Sequence, residues 1–139
     1  MSSSSSPKKV VALVGHCGPD SSFLRMAVSS ADRSAQVVMA DDHAELNQVL
    51  KSGVDLVLFN RELGYAFDGQ TGAELIGHLR KTHPTLKTML VSNYPDAQAA
   101  AVANGALPGF GKREIGSPRV PQLIREALAA ETAPTSKAS

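Results

Sequence analysis

The chain has 139 residues, 42% of them hydrophobic and 19% charged, and 14 basic against 13 acidic side chains leave a net charge of +1. That is the length of one domain with enough apolar material for a core, and so even a charge balance gives no electrostatic reason to bind nucleic acid or an anionic membrane. A single cysteine, Cys17, excludes an internal disulfide and a cysteine zinc cluster and fits a reducing, cytoplasmic setting, and no apolar run has the length of a membrane span or a secretory signal.

Val10-Val11-Ala12-Leu13-Val14 is apolar on both faces and ends at Gly15, the pattern of a strand covered on each side. Asp20 or Ser21 is the expected cap of a helix carrying Phe23, Leu24, Met26, Ala27 and Val28. Gln36 to Ala40 reads as a second strand, and Asp41 or Asp42 caps a helix with Ala44, Leu46, Val49 and Leu50 on one stripe, ended by Gly53. Val54 to Phe59 is a third strand, followed by Asn60 and a loop from Arg61 to Thr71. Ala73, Leu75, Ile76 and Leu79 mark a third helix, and Lys87 to Val91 a fourth strand ending at Ser92. Asp96 opens an alanine-rich helix that runs to Asn104. Gly109-Phe110-Gly111 is a short fifth strand before Lys112, and Ser117-Pro118 opens a last helix. The segments 1–8 and 132–139 are expected to be disordered tails around a single domain at 9–131, because they carry too little apolar surface to offset ordering.

Strands alternating with helices predict an α/β fold, a doubly wound parallel sheet with right-handed crossovers. Sites in such sheets form at the carboxyl ends of the strands. The residues to inspect are therefore Gly15-His16-Cys17, Asp41-Asp42, Asn60-Arg61-Glu62, Ser92-Asn93 and Lys112.

Val54 to Asn60, Gly72 to Ile76, Leu90 to Asp96, and Gly105-Ala106 followed by Gly109 to Lys112 together resemble the receiver domain of two-component response regulators. The resemblance covers about Lys9 to Glu131 and implies a flavodoxin-like (βα)5 sheet of five strands in the order 2-1-3-4-5. It also implies a phospho-acceptor aspartate at the end of the third strand, where this chain has Asn60. An amide is no nucleophile, so no aspartyl phosphate is expected there. The acidic pair that holds magnesium in the family aligns with Gly15 and His16, so no metal and no cofactor are expected. Asp20 is placed too far along the helix to help, and Glu62 is the one acid expected near Asn60.

Ser92 and Lys112 match the family's hydroxyl and lysine positions, and a bond or near contact from Lys112 to the Asn60 side-chain oxygen is expected. Arg113 replaces the proline that follows the lysine in the family. The loop after Asn60 is longer than the family's usual one. Tyr65, Phe67 and Tyr94 are read as a possible interaction surface or as a plug over the vacant pocket, and Phe110 is counted with the interaction surface. The implied role is an atypical, stand-alone receiver domain, not an enzyme, acting by contact with a histidine kinase, another regulator or a second copy of itself. The alternative is a small-ligand or catalytic site using His16 and Cys17.

Overall fold

The structure, a computed structural model, describes residues 8–130. The tails expected at 1–8 and 132–139 lie outside the described residues except for Lys8.

The three strands whose side chains are almost all buried form the middle of the sheet. β1 (Val10–Val14), β3 (Leu56–Asn60) and β4 (Thr88–Val91) are flanked by β2 (Gln36–Ala40) and β5 (Leu107–Phe110), all parallel, in the order β2-β1-β3-β4-β5. Because side chains alternate across a strand, each run feeds both faces. Val11, Leu13, Leu56 and Leu58 pack under α1 (Gly18–Ala31) and α5 (Arg119–Ala129). Ala12, Val14, Val57 and Phe59 pack under α2 (His43–Ser52), α3 (Gly72–Thr82) and α4 (Pro95–Ala103). The predicted sheet and its order are those observed.

Local chemistry sets most boundaries. Asp42 caps α2 by accepting from the Glu45 amide, and Gly53 ends that helix at φ 96°. Thr71 and Glu74 form a reciprocal capping box on α3. α1 departs from expectation: it starts at Gly18 with Cys17 at the cap position, and neither Asp20 nor Ser21 caps it. Its buried face is Leu24, Ala27, Val28 and Ala31, while Phe23 and Met26 are 55% and 65% exposed.

β5 carries a bulge. Leu107 pairs with Met89 and Phe110 with Val91, so Pro108 and Gly109 together stand opposite Leu90. Pro108 has no amide hydrogen to give the ladder. α4 braces this irregular edge. The Gln98 side-chain amide donates to the carbonyls of Leu90 at 2.8 Å and of Ser92 and Phe110 at 3.1 Å each.

Two cations tie helix ends. Arg125 of α5 donates to the carbonyls of Ala31 and Ser30 at the end of α1. Lys87, buried before β4, donates to the carbonyls of Ala127 and Ala130 at the end of α5. Burial lowers the Lys87 pKa from its ordinary value, nearby Lys9 adds to this, and Asp55 opposes it. Lys87→Met keeps the stem and removes the donor, so two helix-end carbonyls lose their partner. The expected loss is about 1–3 kcal/mol of folding free energy, read as a lower urea midpoint at unchanged slope.

Candidate functional site

The carboxyl ends of β1, β3, β4 and β5 open onto one face. A cleft of about 300 Å³ there is lined by Asn60, Arg61, Glu62, Ser92, Asn93, Tyr94 and Lys112. The sequence-predicted residues Asn60, Glu62, Ser92 and Lys112 are thus brought together, but their bonds differ from expectation.

The Asn60 amide nitrogen donates to the carbonyl of Gly15 at 3.2 Å and to that of Glu62 at 3.0 Å. Its oxygen is buried with no partner. Lys112 does not supply one, contrary to prediction. Its ammonium pairs with Asp20 at 3.2 Å, with the two side chains 39% and 24% exposed. Asp20 is therefore part of the site. It lies in the first turn of α1, where side chains lean back toward the helix start, and this carries the carboxylate to the strand ends.

Glu62 lines the cleft, yet its carboxylate is mostly exposed and pairs with Arg61 at 3.3 Å. The Arg61 guanidinium in turn stacks 4.4 Å above the Tyr94 ring. On the β1 side, Gly15 adopts φ 77°, and a side chain there would run into Leu63 of the following loop. An apolar group thus covers the ground beside Asn60.

Ser92 is buried, and its hydroxyl accepts from the Tyr94 amide at 3.1 Å. The Asn93 side-chain oxygen accepts from the Arg113 amide at 3.0 Å, a bond that a proline at this position could not form.

His16 is buried, with Nε2 2.9 Å from the Leu58 carbonyl oxygen. Cys17, next in the chain, is exposed, so the imidazole and the thiol do not form a nucleophile–base couple. Burial lowers the His16 pKa most; the Leu58 bond opposes this, Lys112 adds to it, and Asp20 opposes it. The sign of the stability effect follows. Between the ordinary histidine value and the lower folded value, the unfolded chain binds the proton and the folded chain does not. Stability is therefore expected to be level above about pH 6.5 and to fall as the pH drops below it. His16→Gln, which retains an amide donor for Leu58, is expected to flatten that slope in urea titrations repeated across pH.

The loop from Arg61 to Thr71 is ordered by an antiparallel bridge between Glu62 and Thr71 and by a 3-10 turn over Tyr65–Phe67. Phe67, read either as part of an interaction surface or as a plug over the pocket, is fully buried, with the His43 ring edge-on at 5.0 Å, so it forms no part of a surface. Phe110 is corrected likewise: it is 1% exposed and belongs to the core under α1 and α5. Tyr65 and Tyr94 are exposed, at 100% and 58%. Beside the cleft, and sharing Ser92 and Asn93 with it, a groove of about 660 Å³ runs between α4 and β5 past Pro95, Ala99, Val102 and Pro108.

No family model and no curated protein matches the chain. Its fold is that of solved signal receiver domains. One, from an HD domain-containing protein of Pseudomonas fluorescens Pf-5, aligns with TM-score 0.72 and 20% identity over 91% of each chain. The receiver domain of a DNA-binding response regulator (merR) from Colwellia psychrerythraea 34H aligns with TM-score 0.65 and 16% identity, covering 89% of this chain and 100% of that one. The beryllofluoride-activated NtrC4 receiver domain dimer aligns with TM-score 0.66 and 15% identity, covering 88% and 97%.

Proposed function

We propose that this chain is a signalling receiver module that works by binding another protein and does not carry an aspartyl phosphate at the end of β3. The observation that carries the reading is the Asn60 amide. Its nitrogen serves two backbone carbonyls, an arrangement in which a carboxylate would set oxygen against oxygen. The neighbouring chemistry supports it: Lys112 and Asp20 neutralise each other, Arg61 and Glu62 do the same, and Leu63 packs on Gly15. No enzymatic step is assigned to the chain.

The docking surface we assign is the exposed rim of the cleft at Tyr94, together with the α4–β5 groove, where Val102 is exposed; Tyr65, exposed on the loop after β3, is a further candidate contact. Aromatic and small apolar groups at a polar margin suit a protein partner. The partner classes are a histidine kinase, another regulator or a second copy, in the cytoplasm. Among the described residues no helix is long and apolar enough to cross a membrane.

Incubation with acetyl phosphate and magnesium followed by intact-mass measurement tests the chemical half of the reading. The expected mass is unchanged. A phosphoryl adduct that hydroxylamine removes would mean that some carboxylate does accept phosphate, and the reading would be wrong.

A further inference from the structure

The two edges of the sheet are built differently. β5 is guarded: Pro108 has no amide hydrogen, the bulge breaks its register, and Gln98 of α4 clamps the carbonyls beside it. β2 has no such guard. From Ala35 to Ala40 there is no charge and no proline, and its register with β1 runs unbroken from Gln36 to Ala40. Val37, Val38 and Met39 are only partly buried, whereas every residue of β4 is buried.

The Gln36 amide donates to the Lys9 carbonyl at 2.8 Å, so its backbone groups, and by alternation those of Val38 and Ala40, point toward β1. The N–H and C=O groups of Val37 and Met39 therefore face outward, and among the described residues nothing bonds them. The free ladder ends there on both sides. The Ala35 amide already donates to the Asp32 carbonyl at 3.0 Å, and the Asp41 amide to the Glu45 carboxylate at 2.7 Å. What remains is a self-complementary set of two donors and two acceptors centred on Val38.

We propose that the β2 edge joins two copies of this chain: β2 of the second copy pairs antiparallel with it about a two-fold axis at Val38, making one continuous sheet. Val37 of each copy then stands opposite Met39 of the other, and each such pair exchanges both of its bonds. A second copy is the occupant because the flanking charges also fit themselves under that axis. Antiparallel pairing brings the turn before one β2 beside the residues after the other. Arg33, exposed in that turn, comes within reach of the partner's Asp41, also exposed, and neither has an ionic partner among the described residues. Asp32, the acid of the same turn, is engaged by the amide and hydroxyl of Ser34. β2 and the α4–β5 groove lie at opposite edges of the sheet, so pairing leaves the docking surface proposed above open, and each proposal can fail while the other stands.

The test is sedimentation equilibrium of the full chain from about 1 μM to about 1 mM, with amide exchange followed at both ends of that range. The expected result is a monomer–dimer equilibrium, with the Val37 and Met39 amides exchanging more slowly as the concentration rises. Val37→Pro removes an outward donor, a position where an edge strand tolerates proline, and is expected to weaken the dimer about 30-fold. Asp41→Arg is expected to weaken it as well, by setting two cations together, and Arg33→Glu added to Asp41→Arg is expected to restore it. The charge variants decide the matter if Val37→Pro does not fold. A chain that stays monomeric throughout the range would overturn the proposal. So would a dimer that Asp41→Arg leaves unchanged, or one that leaves exchange at Val37 and Met39 independent of concentration.

Discussion

Gly109→Ala is expected to lower the melting temperature by about 10 °C, which for a domain of this size corresponds to about 3 kcal/mol. A methyl group at this position would overlap the Leu90 carbonyl oxygen and press on the Gln98 side-chain oxygen. The first neighbour is backbone in the middle of the sheet and cannot swing aside. The second holds α4 against the ends of β4 and β5 through three carbonyls. Strand β5 must therefore move outward, and the α4 clamp opens with it. Gln98→Ala isolates the second part. It removes the donor without the clash, and an expected cost of about 1–3 kcal/mol would fall mainly on α4, read as faster amide exchange there. If Gly109→Ala melts with the wild-type chain, the bulge is softer than its contacts imply and the account of this edge is wrong.

Asn60→Asp is the more telling change, because it restores the residue type that the resemblance calls for. It is expected to destabilise the chain by about 2–4 kcal/mol at neutral pH, since two donated bonds become two oxygen–oxygen contacts. The folded state relieves this by holding the new carboxyl protonated, so its folded pKa rises above the unfolded value. The sign follows from that inequality. The new carboxyl's destabilisation, measured as the difference from the wild-type chain at each pH, is smallest below about pH 4, where both states are protonated, and grows as the pH climbs through the raised folded value. Magnesium is expected to bind no better than to the wild-type chain: Gly15 is glycine under Leu63, and Asp20 is engaged by Lys112. Calorimetric titration with magnesium checks this, and a robust binding isotherm for the single variant would refute the description of the cleft.

The sheet was legible because its strands are short apolar runs spaced by helix-length gaps, a pattern with few alternatives. The face of α1 was not. Phe23 and Met26 have the spacing of a core stripe, and so do Leu24, Ala27, Val28 and Ala31. Hydrophobicity favours the larger side chains, while it is the second set that packs against the sheet and α5. Tertiary context decided between two patterns that periodicity ranks alike.

In the cleft, strand ends were enough to find Asn60, Ser92 and Lys112, but not to pair them. The partner of Lys112 comes from a helix, and Asp20 was passed over because its position was counted along the chain. The readable signal was an acid in the first turn of a helix whose start faces the strand ends, where the side chain points backward. Phe110 was misplaced for a different reason. One extra residue in a strand reverses which side chains face in, and the Pro108-Gly109 bulge supplies it. Phe67 sits on a loop that looks like a surface feature until the Glu62–Thr71 bridge folds it under.

The buried ammonium of Lys87 has consequences for how the molecule is made. Its acceptors are carbonyls of the closing turn of α5, some forty residues later in the chain. During synthesis, β4 emerges with a charge that has nowhere dry to go until that turn has been translated. Closure of the sheet around it is therefore expected only once that turn has been made, and a nascent chain halted before Ala127 would be easy prey for proteases.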